Sequence, residues 1–155
     1  MSTEVDGKGK LLRRAGAMLN SIMNGLGEVD SETGQKIMEL CGEACAQEDG
    51  DIEIAKRIAR EESGEDEILA RTNKEISWCG SWTRRGNTIQ STCAKCGCPL
   101  VRNEVVSLNG TFCYCSRGWV KTIFETLLGE PAKAELEKSI GLGDKVCKFV
   151  VHVRT

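Results

Sequence analysis

The chain has 155 residues, of which 40% are hydrophobic, and it carries 21 basic and 23 acidic side chains for a formal net charge of -2. This length and apolar content predict a single domain over residues 1–155. Because the charges are well mixed, no basic stripe exists to neutralise a phosphate backbone, and we expect no nucleic-acid partner. The first residues lack the apolar region of a signal peptide and no long apolar run follows, so we expect a cytoplasmic protein without a membrane partner.

The first predicted helix spans residues 10–26. Its apolar side chains recur at the three- and four-residue spacing of an amphipathic helix, and Gly25 and Gly27 end the run. Its apolar face can serve either a core or the interface of a homodimer, so a homodimer stays open.

The second predicted helix starts at Asp30 or Ser31, both of which can cap it. It carries Cys41 and Cys45 one turn apart on its apolar stripe, with Cβ atoms about 6 Å apart, close enough for the two thiols to bind one ion. Alternatively both are small core residues, because free cysteine is among the most buried residue types.

Two shorter helices complete a helical half that covers about residues 10–77. They are predicted over 51–62 and 65–76, and Ser63 with Asp66 gives the latter a start that resembles a capping box.

The second half, about residues 78–155, is predicted to hold an antiparallel sheet and one long buried helix. Residues 83–92 contain few helix formers and a central turn, which indicates two extended pieces. The helix is predicted over 116–128, and the segments 132–140 and 145–153 flank a Gly-rich turn as in a β-hairpin. The predicted fold class is therefore α+β, with N-terminal helices packed on a C-terminal antiparallel sheet.

A dense group of cysteines follows the first predicted strands. Cys93, Cys96 and Cys98 form a C-x-x-C motif that overlaps a C-x-C motif, a spacing typical of metal ligands or of a redox pair. Pro99 indicates a loop that enters a strand. Because a thioredoxin-type pair needs its first cysteine at the start of a helix, this context favours a metal over redox chemistry.

Cys113 and Cys115 immediately precede the predicted buried helix. Unpaired backbone N–H groups and the helix dipole at that place would stabilise a thiolate at Cys115 and lower its pKa. Such a thiolate suits a metal ligand or a nucleophile. Alternatively both cysteines end a strand, with Cys113 facing inward.

Three separated groups of thiols predict a metal site, because structural zinc sites are built from pairs that converge on one ion. The predicted ligands are Cys41, Cys45, Cys96, Cys98, Cys113 and Cys115. Six thiols exceed the four that one tetrahedral zinc binds. Some thiols therefore play another role, or a second ion is bound, or an iron–sulfur cluster takes four of them. Cys147, on the inward face of the last strand, is predicted to be a core residue.

The second half also resembles a known group of proteins. The motifs that carry the resemblance are C-x-C-P-L at 96–100 and Cys113-Tyr-Cys115 with the helix that follows, within residues 93–153. This stretch is similar to the C-terminal part of 4-vinyl reductase-type domains, from a superfamily of ligand-binding domains in nitric-oxide signalling and Golgi transport. It is also similar to a cysteine-rich branch of uncharacterised prokaryotic proteins named L-2-amino-thiazoline-4-carboxylic acid hydrolase-like.

The resemblance implies a small-molecule-binding or sensor fold with metal-binding cysteines and helices against an antiparallel sheet. It implies catalysis only through a transferred name. Larger members carry fused DNA-binding or kinase domains, so we expect any regulatory role of this chain to act through a partner protein or a self-dimer.

Three functions follow from these observations. The first is a zinc-binding sensor domain without catalysis, with a small ligand in apolar space near Trp119. The second is a hydrolase of a small heterocycle such as a thiazoline carboxylate, in which Cys115 or a metal-bound water attacks and only the remote His152 and Glu125 could act as acid or base. The third is an iron–sulfur sensor or a thiol redox sensor, the latter pairing Cys93 with Cys96 or Cys113 with Cys115.

Overall fold

The structure, a computed structural model, describes residues 2–76 and 80–153, so Trp78 and Cys79 lie outside the described residues. Its elements are α1 (Ser2–Leu26), α2 (Ser31–Glu48), α3 (Asp51–Glu61), α4 (Glu65–Glu75), β1 (Thr83–Arg85), β2 (Thr88–Cys93), α5 (Pro99–Arg102), α6 (Gly110–Leu128), β3 (Lys133–Lys138) and β4 (Cys147–His152). The predicted α+β fold class is confirmed. In the described part of the chain, no helix is long and apolar enough to span a bilayer.

The four strands form one antiparallel sheet in the order β1-β2-β4-β3. Strands β1 and β2 form a tight hairpin in which Gly86 has a φ of 60°, a left-handed conformation that favours glycine. Strands β3 and β4 form the predicted C-terminal hairpin, with a short 3-10 helix at Ile140–Leu142 in their connection. Strand β4 therefore lies inside the sheet, between β2 and β3.

One buried cluster joins the helical half to the sheet half. It contains Ile58 of α3, Phe124 of α6 and Phe149 of β4. Trp82 packs edge-on against Phe124 with ring centroids 4.7 Å apart. The side chain of Asn73 fixes the same place, because it accepts from the Trp82 N–H at 2.6 Å and donates to the Trp82 carbonyl at 2.9 Å.

Helices α2 and α6 cross with their backbones in contact. A Cβ atom on Gly42 would lie 1.8 Å from the carbonyl oxygen of Cys115, and one on Gly118 would lie 1.9 Å from the carbonyl oxygen of Glu39. Only glycine allows this approach on both sides, so the crossing point of the two helices is fixed by two residues.

Two ion pairs lie beside this crossing. Arg117 donates to Glu39 at 2.6 Å and Lys121 donates to Glu43 at 2.8 Å. All four side chains are partly buried, and each pair joins α6 to α2. The pairs therefore stabilise one register of the two helices more than isolated surface pairs would.

The long helix begins earlier than predicted. Asn109 is its N-cap and accepts from the Phe112 N–H at 2.8 Å, so α6 starts at Gly110 and not at residue 116. Cys113 and Cys115 therefore lie within the helix, in its first and second turns, and not in front of it.

Two further local predictions are wrong. Pro99 does not lead into a strand but occupies the first position of the short helix α5, where its missing N–H costs nothing. The capping box at Ser63 and Asp66 does not form, because the N-cap of α4 is Gly64 and no side chain caps the helix.

Candidate thiol site

Three separate elements bring free thiols to one narrow cleft. Cys45 comes from α2, Cys98 precedes α5 and Cys115 comes from α6. The remaining walls of the cleft are Asp49, Pro99, Phe112, Ser116 and Trp119. One member of each of the three predicted groups of thiols therefore lines this cleft.

Three further thiols gather at a different place beside α6, which shares Ser116 with the cleft. Cys96, Cys113 and Cys147 line a second, smaller gap whose remaining walls are Cys93, Lys95, Gly97, Ser116, Leu136 and Phe149. Cys113 and Cys115 line different places because side chains two residues apart on a helix point in directions roughly 200° apart. Five of the six predicted ligands thus divide between two places, and Cys147, predicted as a core residue and indeed buried, lies beside the second group.

Cys41 lines neither place. It lies one turn before Cys45 on α2, and its residue is exposed. It is still close enough that a negative charge on it would raise the pKa of Cys115. Cys41 therefore belongs to the surroundings of the cleft and not to its wall.

The thiols share the cleft without forming a ligand set. Among residues 2–76 and 80–153, no group of three or more His, Cys, Asp or Glu side chains is placed to hold a metal ion. The chemistry of the donors nevertheless fits a thiophilic metal, since soft sulfur ligands suit zinc, copper(I) or iron–sulfur clusters.

Cys115 is a protonated thiol at neutral pH. Burial, followed by the neighbouring Cys45 and Cys98, raises its pKa to about 12. The predicted lowering of this pKa is wrong, because Cys115 lies inside α6 and is remote from the free N–H groups of the first turn. A thiol in this state is a poor nucleophile until another group takes its proton.

Trp119 lies in the wall of the cleft, where a ligand pocket was predicted. Its indole Nε1–H donates to Asp49 Oδ2 at 3.1 Å, and Asp49 Oδ1 accepts from the Asp51 N–H at 3.2 Å. The cleft encloses about 30 Å³, room for two or three water molecules at most. Trp119 is 4% exposed, so a larger ligand enters only if the cleft widens.

The two remote candidates for acid–base chemistry are engaged elsewhere. His152 Nε2 lies 3.0 Å from Glu135 Oε2 across the β3–β4 pair, on an exposed surface. Glu125 Oε1 accepts from the Ala132 N–H at 3.1 Å. Neither residue lines the cleft around Cys115, so the structure adds no acid–base partner to the hydrolase hypothesis.

Neither predicted redox pair forms a disulfide. Cys93 is disulfide-bonded, but Cys96 is a free thiol and so is not its partner. Cys113 and Cys115 are also free thiols, on different sides of α6. The arrangement of these four residues gives no support to the C-x-x-C or C-x-C motif as a thiol switch.

The fold resembles that of a solved protein domain. It is similar to the crystal structure of the phenol-responsive sensory domain of the transcription activator PoxR with phenol, with a TM-score of 0.55 and 12% sequence identity over 92% of this chain and 74% of that chain. This likeness supports the fold implied by the 4-vinyl reductase-type resemblance and leaves the cysteine-rich branch untested.

The sequence itself places the chain in a family. Residues 12–154 match the family of unknown function DUF6144, and the chain belongs to that family. No curated protein matches the sequence.

Proposed function

We propose that this chain is a small-molecule-binding sensor domain whose cleft thiols hold a metal ion, with zinc as the first expectation. The observation that carries the proposal is the meeting of Cys45, Cys98 and Cys115 from three separate elements in one cleft. The sensory-domain fold supports the ligand-binding part of the proposal.

The protonation state of the thiols favours a metal over a nucleophile. A negative charge on Cys45 or Cys98 raises the pKa of Cys115, and a charge on Cys98 also raises the pKa of Cys45. A divalent cation removes this repulsion, because it binds thiolates and displaces their protons. Without a cation, Cys45 and Cys115 hold their protons, because burial raises the pKa of both thiols, and this disfavours the hydrolase.

Cys45, Cys98 and Cys115 would supply three of the four ligands of a zinc ion. Cys41, one turn from Cys45, and Asp49, in the wall of the cleft, are the candidates for the fourth. A bound ion would act as a Lewis acid or as a structural link between α2, the start of α5 and α6. An iron–sulfur cluster, which needs four thiolates, remains the alternative and would have to recruit Cys41.

The other walls of the cleft favour a small, flat apolar ligand. Phe112, Pro99 and the Trp119 ring provide apolar faces beside the thiols. Because the enclosed volume holds only a few waters, binding of an aromatic ring requires these walls to move apart. Such a movement would displace α2 relative to α6, and this change in the position of the two helices would be the signal of a sensor.

The metal is tested by elemental analysis of protein purified without an affinity metal, and by titration with cobalt(II), whose thiolate absorption reports sulfur ligation. We expect about one ion per chain in the wild type and loss of the ion in Cys45→Ser, Cys98→Ser and Cys115→Ser. Cys147→Ser is the matched control, because it removes a thiol from the second group and should leave the ion bound. Absence of metal from the wild type, or equal binding by all four variants, refutes the metal site.

The ligand is tested separately with phenol as the probe, by calorimetric titration of the wild type as purified. Ser116→Leu adds bulk at the edge of the cleft and should abolish binding. Thr126→Leu, the control, makes a comparable substitution on the same helix away from the cleft. Heat of binding that survives Ser116→Leu would show that phenol binds elsewhere, and absence of binding to the wild type would refute phenol as a ligand of this cleft.

A further inference from the structure

Helix α1 leaves most of its apolar face in water. Leu11 is 65% exposed, Leu12 47%, Met18 66%, Leu19 37% and Ile22 54%. Over residues 7–26, whose side chains the structure describes, only Gly16 and Met23 are buried. We call the five exposed side chains the α1 patch.

The body of the protein holds α1 along one edge only. A Cβ atom on Gly16 would lie 2.0 Å from the carbonyl oxygen of Val105, and Asn20 Oδ1 accepts from the Ser107 N–H at 3.0 Å. Met23 belongs to a small buried cluster with Val106. The apolar arc continues from this edge for about 160° around the helix, to Leu11 and Met18.

The spacing within the arc is that of a helix pair. Leu12, Ala15, Leu19, Ile22 and Leu26 alternate steps of three and four residues, as the seam of a two-stranded coiled coil does. A stripe of this kind is completed by a second helix. Among the described residues no second helix covers the exposed part of the arc, whose side chains lie in water.

The size of the patch fits a dimer. The exposed fractions correspond to roughly 500 Å² of apolar surface, which lies in the upper part of the range for the largest patch on a monomer. Homodimer interfaces are about 65% apolar, so this patch would belong to an interface of about 770 Å² per subunit. That value matches the roughly 800 Å² that each partner buries in a stable complex.

The distribution of charge along α1 and the turn after it favours a second copy of this chain as the partner, in an antiparallel orientation. Residues 8–14 carry four basic side chains and no acidic one, whereas residues 28–32, just after the helix, carry three acidic side chains and no basic one. In an antiparallel pair the basic end of each α1 faces the acidic end of the other. A second copy of this chain therefore satisfies the apolar stripe and both charged ends at once.

We propose that two copies of this chain associate through the α1 patch, with the two α1 helices packed antiparallel. The pair makes the interface isologous: where a residue near one end of α1 contacts a residue near the other end of the partner helix, the two-fold axis repeats the same contact with the subunits exchanged. The dimer buries the exposed arc and leaves the cleft around Cys45, Cys98 and Cys115 to each subunit.

The proposal is tested by multi-angle light scattering and sedimentation of the full chain. We expect a dimer at micromolar concentration. Met18→Glu and Leu11→Glu should each weaken it by roughly a hundredfold or more, because each places a carboxylate in the apolar α1 patch that the dimer buries. Leu142→Glu is the matched control: Leu142 is the same residue type as Leu11 with similar exposure, 59% against 65%, but lies in the β3–β4 connection.

The direction of the pair is tested by charge reversal. Lys8→Glu with Lys10→Glu should weaken the dimer, and adding Glu28→Lys should restore it. Far-UV circular dichroism should be the same for all variants, because these side chains are exposed. A monomeric wild type, a dimer that resists Met18→Glu, or a monomer that instead sediments with anionic vesicles would each overturn the proposal.

Discussion

Replacement of Gly42 by alanine should separate the two helices that carry the cleft. The new Cβ would lie 1.8 Å from the Cys115 carbonyl oxygen, and contacts under 3.0 Å essentially do not occur, so α2 or α6 must shift by more than an ångström. Overpacking of this kind costs about 1–3 kcal/mol or more. The gain in helix propensity returns at most about 1 kcal/mol. Because the obstacle is backbone that cannot rotate away, we expect a net loss of about 2 kcal/mol.

This loss is measured by urea unfolding followed by circular dichroism, and it corresponds to a fall in melting temperature of about 4–8 °C for a chain of this size. Gly25→Ala on α1 is the control, because a Cβ there meets nothing within 4 Å. The control should be neutral or stabilising by up to about 1 kcal/mol. If Gly42→Ala behaves like Gly25→Ala, the close crossing of α2 and α6 is refuted.

Three further predictions concern the same region. In metal-free protein the raised pKa of Cys115 stabilises the fold fully below about pH 9. This contribution, up to about 4 kcal/mol, is lost as the pH rises towards 12, because the unfolded chain loses the proton first. Cys115→Ser should therefore reduce the fall in the free energy of unfolding between about pH 9 and about pH 12. Asn109→Ala should lower the free energy of unfolding by about 1 kcal/mol through loss of the α6 cap, whereas Asn24→Ala on exposed α1 should change it by less than about 0.5 kcal/mol. Trp119→Phe should cost about 2 kcal/mol, because Asp49 loses a donor to a charged group; a cost equal to that of an exposed substitution would contradict it.

The fold class follows from the sequence because the period of the apolar residues distinguishes helices from strands. The apolar spacing of the first helix and the Asp30 cap of α2 each have one simple structural interpretation, and both are present. Asp30 accepts from the Thr33 N–H at 2.8 Å, as its place before an amphipathic run indicates.

The start of α6 at Gly110 was not predicted from the sequence, because the residues around it have only moderate intrinsic helix propensity. Residues 111–115 are β-branched, aromatic or cysteine, all moderate helix formers, and packing against α2 overrides this preference. Asn109, three residues before Phe112, was the available indication of the true start. The misplaced boundary had a chemical consequence, since it put Cys115 at a helix end and gave its pKa the wrong direction.

The division of the thiols could not be read from spacing. It depends on where α2 crosses α6, and that depends on Gly42 and Gly118, two isolated glycines inside helical patterns. Such glycines often mark a close packing contact, but the partner of the contact is a property of the tertiary structure. The sequence therefore identifies the thiols that meet at the cleft only as part of a larger set.

Helix α6 carries Cys115 at the cleft and Cys113 at the second gap, so a rotation of this helix moves both sulfur atoms at once. Any rotation that carries the Cys115 sulfur towards Cys45 and Cys98 turns Cys113 by the same angle on the far side. There the Cys113 sulfur already lies so close to Gly141 that a Cβ on that glycine would be 2.6 Å away. If the cleft binds an ion or a ligand as proposed, a rotation of α6 on binding would move the Cys113 sulfur towards or away from the turn that joins β3 to β4.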